Sequence, residues 1–316
     1  MVFEKATKPT FYFIGVTTAK SSIMKVFPEW AKYLGLGDCL IKGIDCKWHD
    51  NPQIYREVVS FIKNDELSLG ALVTTHKIDL LRACRDMFDE LDFHAQLLGE
   101  ISCISKRNGK LRGHAKDPIT SGLSLEAFIP NGFWKNNPHA QVCLLGAGGS
   151  SLALTTYFMK MRNQQDVPRK IHVTNRSAPR IAEMKKIHRQ LNSGIEFEYH
   201  LCPAAQENDQ VVNKLSPGSL VINGTGLGKD APGSPLTHEA QFPQDGYAWE
   251  FNYRGELIFM EQAKAQQKAK NLHIEDGWVY FIHGWTRVIA EVFDVDIPTS
   301  GPTFDKLSEI AANVRK

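Results

Sequence analysis

Residues 146–151 read Gly-Ala-Gly-Gly-Ser-Ser, directly after the apolar run Gln141 to Leu145 and directly before a helical pattern that begins near Ser151. That setting suits the pyrophosphate of a dinucleotide. Gly146 permits a tight turn, Gly148 lets the backbone approach the phosphates, and a helix N-terminus adds free N–H groups and partial positive charge. Ala147, Gly149 and Ser150 complete the loop, while Ser151 takes the place of the third glycine of the fingerprint. At the end of the next strand pattern stand Asn175, Arg176 and Ser177, with Arg180 four residues after Arg176. A carboxylate there would hold the ribose 2′-hydroxyl of NAD. Arginines instead offer planar, charge-assisted hydrogen bonds to a 2′-phosphate, so the pattern points to NADP. Asn223, Gly224, Thr225 and Gly226 close a later strand, at the edge where open α/β sheets bind ligands.

Two further charges lie at the carboxyl ends of strand-like segments. Lys77 ends VTTHK and Asp117 ends GHAKD. A hydroxyl/carbonyl redox reaction needs hydride transfer and a positioned proton donor and acceptor. An ammonium beside a carboxylate can supply the second requirement. His76 and His114 are rivals for the same proton-transfer role, and the sequence does not rank them. The eleven histidines form no HxxxH pair or His/Cys cluster at zinc spacing, so no metal site is expected. No GxSxG nucleophile motif is present.

The elements that must carry these groups follow an α/β rhythm. Thr10 to Thr18, Leu40 to Cys46 and Ala71 to Thr74 are strand-like. Ile23 to Leu34 and Pro52 to Asn64 carry apolar residues at helical spacing, with Pro28 expected in the first turn of the former. A third helix is expected from about Asp79. Asn108-Gly109 marks a hairpin within Ile101 to Arg112, and Thr120 to Phe128 reads as a connecting helix. A second sheet opens at Gln141 and continues through Lys170 to Thr174, Glu196 to His200 and Leu220 to Asn223, with a helix over Ala178 to Leu191. Gly255 to Ala269, Gly284 to Phe293 and Phe304 to Val314 are helical by period.

Composition narrows the class without naming the chemistry. With 316 residues, two domains are expected. Lys+Arg is 37 against Asp+Glu 35, which argues against a nucleic-acid or membrane-surface partner. The six cysteines contain no CxxC pair, and no stretch approaches the apolar length of a membrane helix. A soluble protein in a reducing, cytoplasmic setting is therefore the expectation.

Taken together, these motifs resemble the shikimate dehydrogenase family over nearly the whole chain. The corresponding stretches are Lys20-Ser21-Ser22-Ile23, ALVTTHK ending at Lys77, EISC at 100–103, GHAKD ending at Asp117, GAGGSS, Asn175-Arg176-Ser177 with Arg180, NGTGLG at 223–228, and His283-Gly284. The resemblance implies an α/β fold of two domains. A substrate domain would span 1–117, completed by C-terminal helices at 277–316, and a Rossmann-type NADP-binding domain would span 118–276. It implies that Lys77 and Asp117 are the catalytic pair, and that Gly146, Ala147, Gly148, Gly149, Ser150, Asn175, Arg176, Ser177, Arg180, Asn223, Thr225 and Gly226 meet NADP. Ser21, Thr74, Ser102, Tyr253 and His283 would meet the substrate, a small cyclic hydroxy acid. The implied reaction is the reversible reduction of 3-dehydroshikimate to shikimate, in aromatic amino acid biosynthesis, by a monomer or homodimer.

The substrate half departs from the family pattern. The second serine of its S-x-S pair is Ile23 and the following proline is Met24. The family's asparagines fall on Ala71, Ser102 and Ala115, and its C-terminal glutamine on His283. Losing several donors and acceptors together redraws specificity, since each unpaired buried polar group costs about 1–3 kcal/mol. The alternatives are therefore the same chemistry on a different hydroxy acid, or a non-catalytic NADP-binding sensor module.

Overall fold

The computed structural model describes residues 3–229 and 231–315. The chain clusters into two compact units, Met1–Asp117 with Ile282–Lys316, and Pro118–Phe281. The return to the first unit thus falls inside a helix, a few residues beyond the seam expected at 276/277.

The first unit runs β1 (Thr10–Gly15), α1 (Ile23–Leu34), β2 (Leu40–Asp45), α2 (Pro52–Asn64), β3 (Ser68–Val73), α3 (Lys77–Cys84), β4 (Glu90–Leu91), α4 (Phe93–Leu98), β5 (Cys103–Arg107) and β6 (Lys110–His114). Its sheet has the order β2-β1-β3-β5-β6-β4. β1 pairs in parallel with β2 and β3, and β5 is antiparallel to both β3 and β6. Asn108 and Gly109 turn the β5–β6 hairpin with φ of 53° and 73°, the left-handed pair that a two-residue turn requires. Pro52 starts α2 behind Asn51, whose side chain caps the Gln53 N–H at 2.9 Å.

Pro28 lies not in the first turn of α1 but inside the helix, which begins five residues earlier at Ile23. An interior proline costs about 3 kcal/mol. Burial of Ile23, Val26, Phe27 and Trp30 on one face, at about 1.5–3 kcal/mol per large side chain, outweighs it.

The second unit begins within α5 (Asp117–Glu126) and continues through α6 (Phe133–Asn136), β7 (Val142–Leu145), α7 (Gly149–Lys160), β8 (Lys170–Asn175), α8 (Ala178–Leu191), β9 (Glu196–Leu201), α9 (Ala205–Val212), β10 (Leu220–Asn223), β11 (Tyr247–Glu250), α10 (Ile258–Lys270) and β12 (His273–Glu275). Its six strands are all parallel in the order β12-β11-β10-β7-β8-β9. Counted within the unit this is 6-5-4-1-2-3, the doubly wound dinucleotide-binding order, whose switch point lies between β7 and β10.

α11 (Trp278–Phe293) and α12 (Pro302–Arg315) end the chain. In the first unit Trp30 donates its indole N–H to the Leu307 carbonyl at 2.8 Å, and Phe11 and Phe13 meet Trp285 edge-on. Lys116 pairs with Glu291 at 2.7 Å and tethers the later part of α11.

Candidate active site

In the first unit, Lys77 is placed by a strained turn. β3 ends at Val73, and Thr75 then takes φ of 30°, which a β-branched residue seldom adopts. His76 follows, and Lys77 opens α3. An ammonium at a helix N-terminus meets the unfavourable end of the dipole, so it needs compensating negative charge. Lys77 Nζ donates to Asp117 Oδ2, and the two side chains are 22% and 13% exposed. Asp117 is the first residue of α5, where the same dipole favours a carboxylate. Its approach is fixed from behind: the Lys116 N–H donates to Ser102 Oγ at 2.8 Å, and the Ala115 N–H to Asp92 Oδ1 at 3.2 Å.

A second carboxyl joins this pair. Glu100 is 3% exposed, and its Oε1 has no hydrogen-bond partner among the described residues. The neighbouring Ile101 N–H donates to the Lys77 carbonyl at 3.3 Å, tying the two segments together. Burial pushes the Glu100 carboxyl up to about 7; Lys77 opposes the shift and Asp117 reinforces it. Burial works to lower the Lys77 ammonium, but attraction to Asp117 and Glu100 outweighs it, and the net shift is upward. An ammonium, its hydrogen-bonded carboxylate and a buried acid with a raised pKa are groups that can hold and pass a proton. In the sequence Glu100 is the one charged residue of the run Leu97 to Cys103, two positions before Ser102.

The other expected groups of the first unit separate by environment. Thr74 sits at the end of β3, half-buried, with its N–H on the Ile14 carbonyl at 3.0 Å. Ser21 is buried in the turn before α1. The Ser102 hydroxyl already accepts from Lys116, so it positions the Asp117 segment. His283, 2% exposed, stacks on Phe304 of α12 at 4.4 Å, and burial followed by Arg287 drives its pKa down to about 4. His76 and His114 turn elsewhere. The His76 ring meets Tyr55 Oη at 3.1 Å, while His114 meets Ser105 Oγ at 3.0 Å and Glu291 at 3.4 Å. Burial, the leading cause, lowers both their pKa values.

In the second unit, the glycine loop follows the buried strand β7. Gly146 takes φ of 106°, and a Cβ there would lie 3.0 Å from Thr225 Cγ2. Gly148 caps α7 without any side-chain hydrogen bond, and a Cβ on it would meet nothing closer than the Gly224 carbonyl at 3.9 Å. Gly149 and Ser150 begin α7. The open first turn therefore leaves backbone donors and space for an anion, which fits a dinucleotide pyrophosphate. Asn175 Oδ1 accepts from the Ala147 N–H at 3.3 Å and its Nδ2 donates to the Ser177 carbonyl at 3.2 Å, bracing the loop against the start of α8. Arg176 and Arg180 are exposed, and Arg180 pairs with Glu183 at 2.8 Å.

The loop at 223–226 is held by a buried net. Asn223 Oδ1 accepts from Thr225 N–H and Oγ1 at 3.0 and 2.6 Å, and its Nδ2 donates to Glu250 Oε2 at 2.6 Å. Asn252 donates to the other Glu250 oxygen at 2.7 Å and to the Thr225 carbonyl at 3.2 Å. Burial raises the Glu250 carboxyl to about 7 despite these donors. The missing third glycine finds its counterpart here: Ser151 is fully buried against Gly224, where a Cβ would fall 2.4 Å from Ser151 Oγ. Close approach is thus provided by Gly224 on β10's loop rather than by position 151. Gly226, the loop's other glycine, is exposed, and Tyr253 packs against Trp278 and Phe281.

The fold with its parallel 6-5-4-1-2-3 sheet matches known structures end to end. Shikimate dehydrogenase from Aquifex aeolicus superimposes with a TM-score of 0.72 over 98% of this chain and 99% of that one, at 18% identity. Quinate dehydrogenase from Corynebacterium glutamicum, solved in complex with NAD, gives 0.71 over 97% and 99%, also at 18%. In sequence, the NADP-dependent shikimate dehydrogenase of Streptococcus sanguinis is 27% identical over 182 residues, 56% of this chain. This chain resembles the shikimate dehydrogenases. The match to the streptococcal shikimate dehydrogenase takes in 58% of that protein's length. No protein-family model matches the chain.

Proposed function

We propose that this chain is an NADP(H)-dependent oxidoreductase that interconverts a ring ketone and a ring alcohol on a small cyclic hydroxy acid, with 3-dehydroshikimate and shikimate as the leading pair. The observation that carries this reading is the Lys77–Asp117 pair with buried Glu100 beside it. When bound, NADP(H) supplies or accepts the hydride. Lys77 hydrogen-bonds the reacting oxygen and gives it a proton as the carbonyl becomes an alcohol. Asp117 holds the ammonium in place and stabilises its charge. Glu100 keeps a proton close by at neutral pH and returns it to the pair. Gly146, Gly148 and the first turn of α7 hold the pyrophosphate, and Arg176 answers the 2′-phosphate.

A second reading, the same chemistry on a different hydroxy acid, is supported by Ser102, whose hydroxyl is engaged by Lys116, and by His283, which is buried against Phe304. Neither offers a ligand the free amide of the family's residues. The test follows NADPH absorbance with dehydroshikimate, shikimate and quinate. Turnover of dehydroshikimate supports the first reading. Tight NADPH binding with no turnover of any of the three rejects it in favour of the second.

A further inference from the structure

One side-chain cluster lies outside everything described above. β8 and β9 pair in parallel with His172 opposite Glu198 and Thr174 opposite His200. Alternate residues share a face, so Glu198 and His200 project on the same side of the sheet as His172. Phe197 and Tyr199 project on the other side, where they meet His188 of α8. His172 Nδ1 stands 3.1 Å from His200 Nε2, His172 Nδ1 is 3.6 Å from Glu198 Oε2, and His200 Nε2 is 3.7 Å from Glu198 Oε1. The three donor groups lie within 4.8 Å of one another.

These separations are compatible with ligands of one metal ion. With zinc–nitrogen bonds of about 2.0–2.1 Å and zinc–oxygen bonds of about 2.0–2.2 Å at tetrahedral angles, neighbouring ligand atoms stand about 3.4 Å apart. The nitrogen–nitrogen edge is 3.1 Å, and each nitrogen lies 3.6 or 3.7 Å from one of the two Glu198 oxygens, close to that value. Without a cation, two ring nitrogens facing each other share at most one proton, and the Glu198 carboxylate beside them accepts a hydrogen bond from Lys170 at 3.4 Å. We propose that His172, Glu198 and His200 form a binding site for a zinc-like transition-metal ion, with a fourth position left to water.

Two imidazoles and one carboxylate suit zinc and its neighbours in the first transition row better than magnesium or calcium. The ion would staple the edge strand β9 to β8, immediately before Asn175. Lys170, 2.7 Å from Glu196 and 3.4 Å from Glu198, opposes a bound cation, and Lys214 also acts on His200. A site of this kind escapes a search for HxxxH or CxxC because His172 and His200 are 28 positions apart and meet only through strand pairing.

The full chain, stripped of metal with a chelator, is titrated with Co²⁺ and separately with Zn²⁺ in competition with a dye. One equivalent of Co²⁺ with the intense visible absorption of a four-coordinate centre is expected. His200→Ala abolishes that absorption, and Glu198→Gln weakens zinc binding at least 10-fold while leaving the metal-free melting temperature unchanged. Failure of the wild type to bind zinc at micromolar free concentration overturns the proposal. So does binding that survives both substitutions, or that disappears instead in Cys39→Ser, the one cysteine not fully buried.

Discussion

The two units build their candidate sites from different materials. In the second, the surface proposed to face the ligand is backbone: Gly146, Gly148 and the first turn of α7, held from behind by Asn175 and by the Asn223–Glu250–Asn252 net. In the first, it is side chains: Lys77 and Asp117, which open α3 and α5, with the buried acid Glu100 from the connection between α4 and β5. Backbone presented by a fixed turn tolerates much change in the surrounding sequence, provided glycine stays where no Cβ fits. A side-chain site changes its chemistry with each substitution. The candidate site of the second unit therefore depends on a few glycines, whereas that of the first depends on the identity of each of its charged side chains.

Four experiments bear on that contrast. The largest effect is expected from Lys77→Met, which removes the proposed proton donor and changes no residue of the second unit. kcat should fall about 100- to 10,000-fold with NADPH affinity unchanged; equal loss in both quantities would show that the two sites are not separable. Glu100 makes stability depend on pH. Its folded carboxyl gives up a proton only near 7, whereas an unfolded glutamate does so near 4.5. The folded state therefore holds the extra proton between these values, and stability declines as pH rises through that window, by about 2–3 kcal/mol. Denaturant midpoints from pH 4.5 to 8 should show this slope in the wild type and lose it in Glu100→Gln.

Arg176→Ala should cut the preference for NADP over NAD about 10- to 100-fold, the worth of about 1.5–3 kcal/mol of charged hydrogen bonding, as read from the ratio of kcat/KM values. An unchanged ratio removes Arg176 from 2′-phosphate recognition. The smallest effect is a compensating pair. Gly224→Ala should cost about 1–3 kcal/mol because its methyl meets Ser151 Oγ. Ser151→Ala should restore part of it, since the Ser151 Cβ stands 3.8 Å away while the Leu145 carbonyl remains at 3.3 Å. Equal instability of the single and double variants would locate the constraint elsewhere.

Much of this was readable in the sequence, and the failures are instructive. The glycine loop, Asn108-Gly109, Lys77 and Asp117 announce themselves because turn chemistry and charge are local properties. The Pro28 expectation failed because tertiary burial of one helix face overrode a local penalty. α4, α9, β11 and β12 were not anticipated: six-residue α4 and three-residue β12 are too short for a period to show, and β11 is a brief apolar stretch. Ser102 and His283 were read by motif position, whereas their environments depend on Lys116 and Phe304, neither adjacent in sequence. Glu100 and the His172–Glu198–His200 cluster became visible only through burial and strand register.

One feature of the connectivity governs the order of assembly. The second unit is continuous from Pro118 to Phe281, but the first is completed only when residues 282–316 arrive. Trp30 waits for the Leu307 carbonyl 277 positions later, and Phe11 and Phe13 wait for Trp285. During vectorial synthesis the sheet carrying Lys77 thus emerges first and matures last, with its apolar face open while the inserted unit forms. Nascent chains stalled before α11 should accordingly expose an aggregation-prone N-terminal half alongside an already folded second unit.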